Sequence, residues 1–369
     1  MSVYNELGVK GIINAAGTYT ALGGSRMSEE TITAMGEAAR DFVPIRELQA
    51  RAHDALAKLT RNEAAYICNG AATGIYLAVA AGAEKLIGKR FAYIGKDEIA
   101  KLNVVLYKAH RNPYDLVVAH IGMQYRELSF PNIILPPTEE DLKNAIDANT
   151  AAVYYTTTSW AAPGALPLEN VITIAKEKNV PVIVDAAANL PPVDNLWNYT
   201  AMGADAVLFS GGKDLAGPQA SGLMVGSKVF IDIVTSIGFP NYGIGRMMKV
   251  GREEIAGLYS AVKQYVSKDH NARLKWCEEQ VQMLITALAG SKNLQAKRCF
   301  PNEAGQPIPR AFVAVSAGGI TCEDVQQHLL SHDPPIHAYN EGLNGVFINP
   351  MSLKDGEMEI IIECLKTIA

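Results

Sequence analysis

The sequence predicts an α/β fold built on a mostly parallel sheet, and three observations point to it. Short apolar segments alternate with helix-like segments through the middle of the chain. These strand-like segments are apolar at nearly every position, which is typical of a parallel sheet covered by helices on both faces. The chain has 369 residues, 49% hydrophobic and 19% charged, which is enough apolar surface for a large core and excludes a disordered protein.

The elements of this sheet can be followed in order along the first two thirds of the chain. The first strand, Ala64–Cys68, ends at Asn69-Gly70 and is followed by an Ala-rich helix over Ala71–Leu86. Two further helices are predicted over Glu140–Ala148 and Leu168–Lys178. The remaining strands are predicted at Val104–Tyr107, Ala151–Thr156, Val180–Val184, Ala206–Phe209 and Leu223–Val225. Alternation of this kind is the pattern of βαβ units.

After Gly251 the pattern changes to a long amphipathic helix. Its apolar residues recur at helical spacing from Ile255 to Val266, and we expect it to continue toward Leu288 with Gly290 as its C-cap. A strand at 311–315, a helix at 322–330 and a final strand-strand-helix pattern follow. We therefore predict an N-terminal arm over 1–45, a large α/β domain over 46–250, and a linking helix with a small α+β domain over 251–369.

The charges and the cysteines exclude several classes of protein. With 33 basic and 38 acidic residues the net charge is −5. The sequence has no cluster of basic residues, so we expect no nucleic-acid partner. No apolar run is long enough for a membrane span and the N-terminus does not resemble a signal peptide, so we expect no membrane partner and a cytoplasmic protein. The five cysteines are scattered without CxxC spacing, which predicts reduced thiols and neither a metal site nor a disulfide framework.

Small residues follow the first predicted strand, where the chain enters a helix. The segment from Gly70 through Ala71, Ala72 and Thr73 would let backbone N–H groups approach an anion, and the helix dipole favours a phosphate there. It matches neither a Walker loop nor GxGxxG. A tight strand-to-helix turn would also explain it.

Two ionisable residues follow other strands. Asp185 ends the strand at 180–184, where a buried carboxylate needs a partner; a helix cap or a loop hydrogen bond would also supply one. Lys213 lies among glycines just after the strand at 206–209 and behind Ser210. A partly buried lysine there can act as a nucleophile, although a solvated loop lysine is the simpler explanation if it stands alone.

Together, these strand ends match the needs of pyridoxal 5'-phosphate. This cofactor needs a phosphate site, a carboxylate that keeps its pyridine nitrogen protonated, and an amine that bonds to its aldehyde carbon. Ligands of open α/β sheets bind at the carboxyl ends of the strands, where the three predicted features lie.

Three motifs resemble the family of bacterial selenocysteine synthase, L-seryl-tRNA selenium transferase. They are Phe209–Lys213 with 217–220, the early segment 11–18, and the segment 245–250 ahead of the long helix. The resemblance runs from about residue 8 to beyond 265. It implies a fold-type I pyridoxal phosphate enzyme, similar in architecture to aspartate aminotransferase, with a seven-stranded sheet and at least a homodimeric assembly.

The resemblance also implies roles for particular residues. Lys213 would hold the cofactor, Asp185 would face its pyridine nitrogen, and Ser210 with the backbone of 70–73 would bind its phosphate. Enzymes of this kind stack a residue on the cofactor ring. His110, which directly follows a predicted strand, is the candidate, with a loop histidine held by hydrogen bonds as the alternative.

Departures from the family pattern narrow the expected activity. The resemblance begins almost at the first residue, so we do not expect the tRNA-binding N-terminal domain of selenocysteine synthase. Gly212 stands where the family usually has an acid, and Lys249 stands where it usually has a second arginine after Arg246. The chain most resembles the shorter, acidic D-glucosaminate-6-phosphate ammonia-lyases. Their substrate carries a carboxylate and a phosphate, for which the candidate cations are Arg26, Arg46, Arg246 and Lys249; ordinary surface charges remain the alternative for each.

Other functions stay open on the sequence alone. A different β-elimination or transfer, selenium transferase-like or cystathionine-type, would use the same cofactor. Ordinary transamination is disfavoured because no arginine follows Arg310, although Arg310 itself could bind a substrate carboxylate. A phosphate-binding module or a scaffold protein would leave Lys213 without a role and would be colourless.

Overall fold

A computed structural model describes residues 2–129, 135–157, 164–316 and 319–369. The chain divides into two compact units: a large unit, Met27–Lys268, and a small unit made of Met1–Arg26 and Asp269–Ala369. Residues 27–45 and 251–268 therefore lie with the large unit, since a helix in the first segment packs along a helix in the second. The three-part division at residues 45 and 250 stays a prediction.

The elements are numbered along the chain. The chain begins with α1 (Val3–Glu6) and β1 (Ile13–Asn14) of the small unit. The helices of the large unit are α2 (Glu29–Arg40), α3 (Ile45–Leu59), α4 (Ala71–Ile87), α5 (Lys96–Ile99), α6 (Val117–Ile121), α7 (Glu139–Ala145), α8 (Leu168–Glu177), α9 (Asn195–Met202), α10 (Lys228–Ile237) and α11 (Arg252–Ser267). Its strands are β2 (Ala64–Cys68), β3 (Asn103–Tyr107), β4 (Gln124–Leu128), β5 (Thr150–Thr156), β6 (Val182–Asp185), β7 (Ala206–Ser210) and β8 (Gly222–Gly226).

These strands form one seven-stranded sheet in the order β2-β8-β7-β6-β5-β3-β4. The strands from β7 to β4 are parallel, and β8 runs antiparallel to both β2 and β7. Gly222, the first residue of β8, is paired with Cys68 on one side and Ser210 on the other. The carboxyl ends of β2 and β7 therefore meet at one edge of the sheet, together with those of the other parallel strands.

Helices cover both faces of this sheet. Alternate residues of each strand enter two separate apolar cores, as a two-residue side-chain period requires. One core packs residues such as Val153 and Val184 with α3, α8 and α11, and the other packs Tyr154 and Ile183 with α4 and α10. The predicted α/β class and its mostly parallel sheet are confirmed.

The small unit has its own sheets and core. After the large unit the chain forms α12 (His270–Ala287), β9 (Leu294–Cys299), β10 (Arg310–Val315), α13 (Cys322–Leu330), β11 (Ile336–His337), β12 (Gly345–Ile348) and α14 (Glu357–Lys366). The antiparallel order is β12-β10-β9, and β1 pairs in parallel with β11. A separate apolar core joins these strands to α12, α13 and α14, so this part is the predicted α+β region.

Two predictions about the long helix were wrong. The expected long helix is two helices: α11 ends at Ser267, and α12 begins after Asp269, whose carboxylate caps it by accepting from the Ala272 N–H at 2.9 Å. Gly290 does not cap it, because α12 ends at Ala287 with Leu288 as its C-cap. The N-terminal arm contains the regular helix α2, which Ser28 caps.

Two further findings concern the whole chain. The five cysteines are free thiols, and four of them are buried. Within the described ranges, no helix is both long and apolar enough to cross a membrane.

Candidate active site

The turn between β2 and α4 has the features of an anion site. Gly70 adopts φ +112°, a conformation that glycine accepts readily, and no side chain caps the helix that follows. The Thr73 hydroxyl donates back to the Gly70 carbonyl at 2.8 Å, and the first N–H groups of an α-helix have no partner within the helix. A β-carbon on Gly222 would lie 2.7 Å from the Gly70 carbonyl carbon, so this turn lies directly against the start of β8.

Asp185 lies at the same edge and is 5% exposed. Its Oδ2 accepts from the Tyr154 hydroxyl at 2.8 Å, and its Oδ1 accepts from the Ala187 N–H at 3.0 Å. A carboxylate has about four lone-pair positions, so it can accept a further hydrogen bond. The loop hydrogen bond considered as an alternative is present and is compatible with a functional role.

Lys213 follows Ser210 in a closed loop. The Gly211 N–H donates to the Ser221 carbonyl at 2.9 Å, and the Gly217 N–H donates to the Gly211 carbonyl at 2.8 Å. The Lys213 carbonyl accepts from the Ala216 N–H at 2.9 Å, and Lys213 is half-buried. The backbone around the lysine is therefore fixed by its own hydrogen bonds.

The glycine before the lysine is required by this packing. A β-carbon at Gly212 would lie 2.6 Å from the Gln219 Cα, inside the range that real contacts avoid. An acidic side chain, which the related family usually has here, would force residues 217–219 to shift. The packing of this loop therefore explains why a glycine stands at position 212.

His110 is the last residue of a short 3-10 turn after β3 and is 2% exposed. Its Nδ1 accepts from the Thr156 N–H at 3.2 Å, which places the hydrogen of the neutral ring on Nε2. Burial lowers the pKa of His110 to about 4, so the ring is neutral near pH 7. It lies edge-on to the Tyr155 ring with centroids 4.5 Å apart. Stacking on a cofactor stays a prediction, and it requires that a face of this buried ring become accessible.

The four candidate substrate cations have different surroundings. Arg26, in the small unit, forms a two-pronged ion pair with Glu357 at 2.9 Å. Arg46 donates to Asn241 and lines a cavity together with Glu84. Glu84 lies about 20 Å along α4 from the first residue of that helix, at 1.5 Å per residue. Arg246 lies over the Phe239 ring, and both Arg246 and Lys249 are exposed. The structure does not bring Arg46 to the Gly70 turn.

Arg310, the residue that left transamination open, is already engaged within the small unit. Its guanidinium contacts Glu303 at 3.0 Å and also Glu341, and it lies 4.1 Å from the Phe347 ring centroid. Two carboxylates thus balance its charge. This arrangement favours a structural role.

Sequence reasoning missed two polar residues at the sheet edge. The sequence predicts Tyr154 only as part of a strand, although a buried tyrosine hydroxyl needs a partner. It predicts Asn69 only as part of a turn, but the Asn69 Oδ1 is buried with no hydrogen-bond partner in the described structure. The His110 Nε2 is also buried with no hydrogen-bond partner among the described residues.

The residues at this edge fit pyridoxal phosphate. The uncapped start of α4 suits its phosphate, Asp185 has an acceptor to spare, and Lys213 supplies an amine. The Asn69 oxygen and His110 Nε2, which have no hydrogen-bond partner in the described structure, leave one acceptor and one donor unsatisfied. The fold and these residues together define a fold-type I pyridoxal phosphate enzyme.

The comparison with known families is specific. The chain belongs to the SelA family, described as L-seryl-tRNA selenium transferase, whose model matches residues 12–300. The resemblance inferred from the lysine motif is thereby confirmed.

Two relatives match the chain almost end to end. D-glucosaminate-6-phosphate ammonia lyase from Salmonella typhimurium is 31% identical over 377 residues, covering 100% of this chain and 98% of that protein. A 5'-C-glycyluridine monooxygenase-decarboxylase from a Streptomyces species is 30% identical over 370 residues, covering 97% and 90%. Chains of nearly equal similarity therefore carry different activities.

Solved structures agree with the family and the fold. A structure of D-glucosaminate-6-phosphate ammonia-lyase has a TM-score of 0.84 and 30% identity, covering 100% of this chain and 98% of that one. A serine palmitoyltransferase structure with pyridoxal phosphate has a TM-score of 0.60 at 13% identity, covering 96% and 87%. The second likeness shows the fold alone.

Proposed function

We propose that this enzyme is an ammonia-lyase acting on D-glucosaminate 6-phosphate (2-amino-2-deoxy-D-gluconate 6-phosphate). The products are 2-keto-3-deoxy-6-phosphogluconate and ammonia, a step in the breakdown of amino sugar acids. One observation carries the proposal: the similarity to a lyase of this name extends over both units, at 31% identity and a TM-score of 0.84. The expected location is the cytoplasm, and the only partners proposed are the small-molecule substrate and further copies of the chain.

The proposed roles are those that the family resemblance implies, and the geometry of the sheet edge is compatible with them. The α4 N-terminus and Ser210 would bind the cofactor phosphate, Lys213 would hold the cofactor through its amine, and Asp185 would keep a proton on the pyridine nitrogen. Pyridoxal phosphate, when bound, supplies an electron sink for the charge left at Cα by proton loss. Burial of Asp185 and Tyr154 excludes water from beneath this site.

The proton steps can be assigned to atoms of the chain and the substrate. Lys213 Nζ would take the Cα proton. The hydroxyl on C3 would take a proton from a general acid and leave as water. The enamine so formed would take a proton at C3, and addition of water at C2 would then release ammonia and the keto acid. His110 does not serve as the base, because its Nδ1 accepts from Thr156 and its Nε2 carries the hydrogen.

The relative with monooxygenase-decarboxylase activity supports a second candidate, an oxygen-dependent decarboxylation on the same scaffold. The two reactions differ in their products. A lyase releases ammonia and keto acid with all carbons retained and needs no oxygen, whereas the alternative consumes oxygen and releases carbon dioxide.

The test is an assay of D-glucosaminate 6-phosphate with and without oxygen. We expect ammonia and keto acid in equal amounts, at the same rate in both conditions, and loss of at least about a thousandfold in rate for Lys213→Ala. Oxygen-dependent release of carbon dioxide would replace this proposal by the second candidate. No reaction with this substrate would refute the lyase assignment while leaving the cofactor site to separate tests.

A further inference from the structure

A buried tyrosine holds the carboxylate proposed to face the cofactor. Tyr154 is fully buried, and its hydroxyl donates to Asp185 Oδ2 at 2.8 Å. The other oxygen, Oδ1, accepts from the Ala187 N–H at 3.0 Å. The two oxygens of Asp185 thus have separate donors, one from a side chain and one from the backbone.

The two residues come from neighbouring parallel strands. In the register of β5 and β6, Asp185 is opposite Thr156, so Tyr154, two residues earlier, projects from the same face of the sheet. That face is the one against which α4 packs. A contact built on two central strands is more rigid than one built on a loop.

The direction of this hydrogen bond is fixed by the surroundings. Burial raises the pKa of Tyr154 well above its usual value, and the negative charge of Asp185 adds to the rise; the side chains of Thr156 and Asn112 act in the opposite sense. The hydroxyl therefore stays protonated and donates to the carboxylate.

We propose that Tyr154 is a positioning residue, which orients the Asp185 carboxylate toward the pyridine nitrogen of the cofactor. The inference rests on the proposed function, since it assumes that Asp185 faces this nitrogen. The side-chain torsion that turns a carboxylate is broad and only weakly restricted. One donor on each oxygen fixes the plane of the group, and the lone pairs that remain can accept from the cofactor.

Four variants separate this role from ordinary core packing. Tyr154→Phe removes only the hydroxyl, and Asp185→Asn removes the carboxylate charge. The double variant shows whether the tyrosine acts through the aspartate. Tyr66→Phe is the matched control, because Tyr66 is equally buried in the same core and its hydroxyl bonds to the backbone of Phe239, away from Asp185.

The readouts are cofactor affinity and the protonation of the pyridine nitrogen. Affinity is measured by titrating cofactor-depleted enzyme with pyridoxal phosphate, and protonation by the NMR signal of cofactor labelled at that nitrogen. For Tyr154→Phe we expect about a tenfold weaker affinity, typical of a lost hydrogen bond to a charged group, and a signal shifted toward the neutral nitrogen. Tyr66→Phe should change neither.

The outcomes distinguish the inference from the function on which it rests. If Asp185→Asn alters both readouts while Tyr154→Phe matches Tyr66→Phe, the positioning role is wrong and the site assignment stands. If the effect of Tyr154→Phe persists undiminished in the double variant, the tyrosine does not act through Asp185. If Asp185→Asn changes neither readout, the proposed role of Asp185 itself fails. Thermal unfolding of each cofactor-depleted variant shows whether any change is a loss of folding.

Discussion

The residue that precedes the proposed cofactor lysine controls how its loop packs. Gly212 lies against the backbone of Gln219, and a β-carbon would approach its Cα to 2.6 Å. The loop is further closed by the hydrogen bond from the Gly217 N–H to the Gly211 carbonyl. The position of Lys213 therefore depends on a neighbour that has no side chain.

Gly212→Ala should displace the loop and lower stability. Crowding of this kind costs about 1–3 kcal/mol, and we expect weaker cofactor binding as well, measured by urea unfolding and by cofactor titration. Gly36→Ala is the control, because Gly36 lies in helix α2 with open space around its Cα and should gain about 0.5–1 kcal/mol. Equal behaviour of the two variants would contradict this account of the loop.

At the scale of single residues, the sequence predicted the groups at strand ends better than their partners. Asp185 could be singled out because it ends a β-branched, apolar segment, and Lys213 because it lies among glycines shortly after the apolar strand β7. The contact from Tyr154 to Asp185 could not, since it depends on the register between β5 and β6. The pairing of Arg26 with Glu357 joins residues more than 300 positions apart, which no local pattern reveals.

At the scale of elements, a buried histidine joins α3 to β2. His53 Nε2 accepts from the Ile67 N–H at 3.1 Å, and its ring centroid lies 5.0 Å from that of Tyr66. Burial lowers the pKa of His53 from 6.5 to about 4, although Asp54 opposes the change. The ring is thus held neutral in the fold.

This histidine makes stability depend on pH in a defined window. In the unfolded chain His53 becomes protonated as the pH falls below about 6.5, whereas in the folded chain it stays neutral down to about pH 4. The free energy of unfolding therefore decreases as the pH falls between these two values. Each such group contributes up to about 1.4 kcal/mol per pH unit, and His110 acts in the same direction.

His53→Gln keeps an acceptor for Ile67 but removes the titration. Urea unfolding between pH 4 and 7 should therefore show a shallower loss of stability in this variant than in the parent enzyme. His120→Gln, at an exposed position, serves as the control and should leave the slope unchanged. An unchanged slope in His53→Gln would show that another group causes the decline.

Two kinds of element were not predicted from the sequence, each for its own physical reason. The apolar spacing of α11 continues into α12, so periodicity alone could not reveal the break that the Asp269 cap creates. Strands β4 and β9 were missed because each has exposed positions and charged residues: Arg126 and Glu127 in β4, Lys297 and Arg298 in β9. Strands at the edge of a sheet, as these two are, have weaker apolar patterns than central ones.

At the scale of the whole molecule, strand order turns separated motifs into one site. The antiparallel strand β8 pairs with both β2 and β7, so the turn at Gly70 and the loop at Lys213 share an edge although they are far apart in sequence. The α/β class followed from the sequence. The order of the strands was not predicted, because local patterns do not encode long-range pairing.

The assembly is expected to contain at least two copies of the chain. Large apolar side chains of the large unit are exposed, including Phe42 at 98% and Tyr242 at 91%, and such surface favours association. Light scattering should give a mass at least twice the 39.7 kDa of one chain. A single-chain mass with full activity would refute this expectation.

The central claim, that the carboxyl edge of the seven-stranded sheet binds pyridoxal phosphate through Lys213, is tested most directly by chemical trapping. Borohydride reduction of the enzyme, followed by digestion and mass spectrometry, locates the cofactor on the chain. We predict a single modified peptide with the cofactor on Lys213, and loss of the visible absorption band on reduction. Modification of another lysine, or no bound cofactor after pyridoxal phosphate is supplied, would contradict the account.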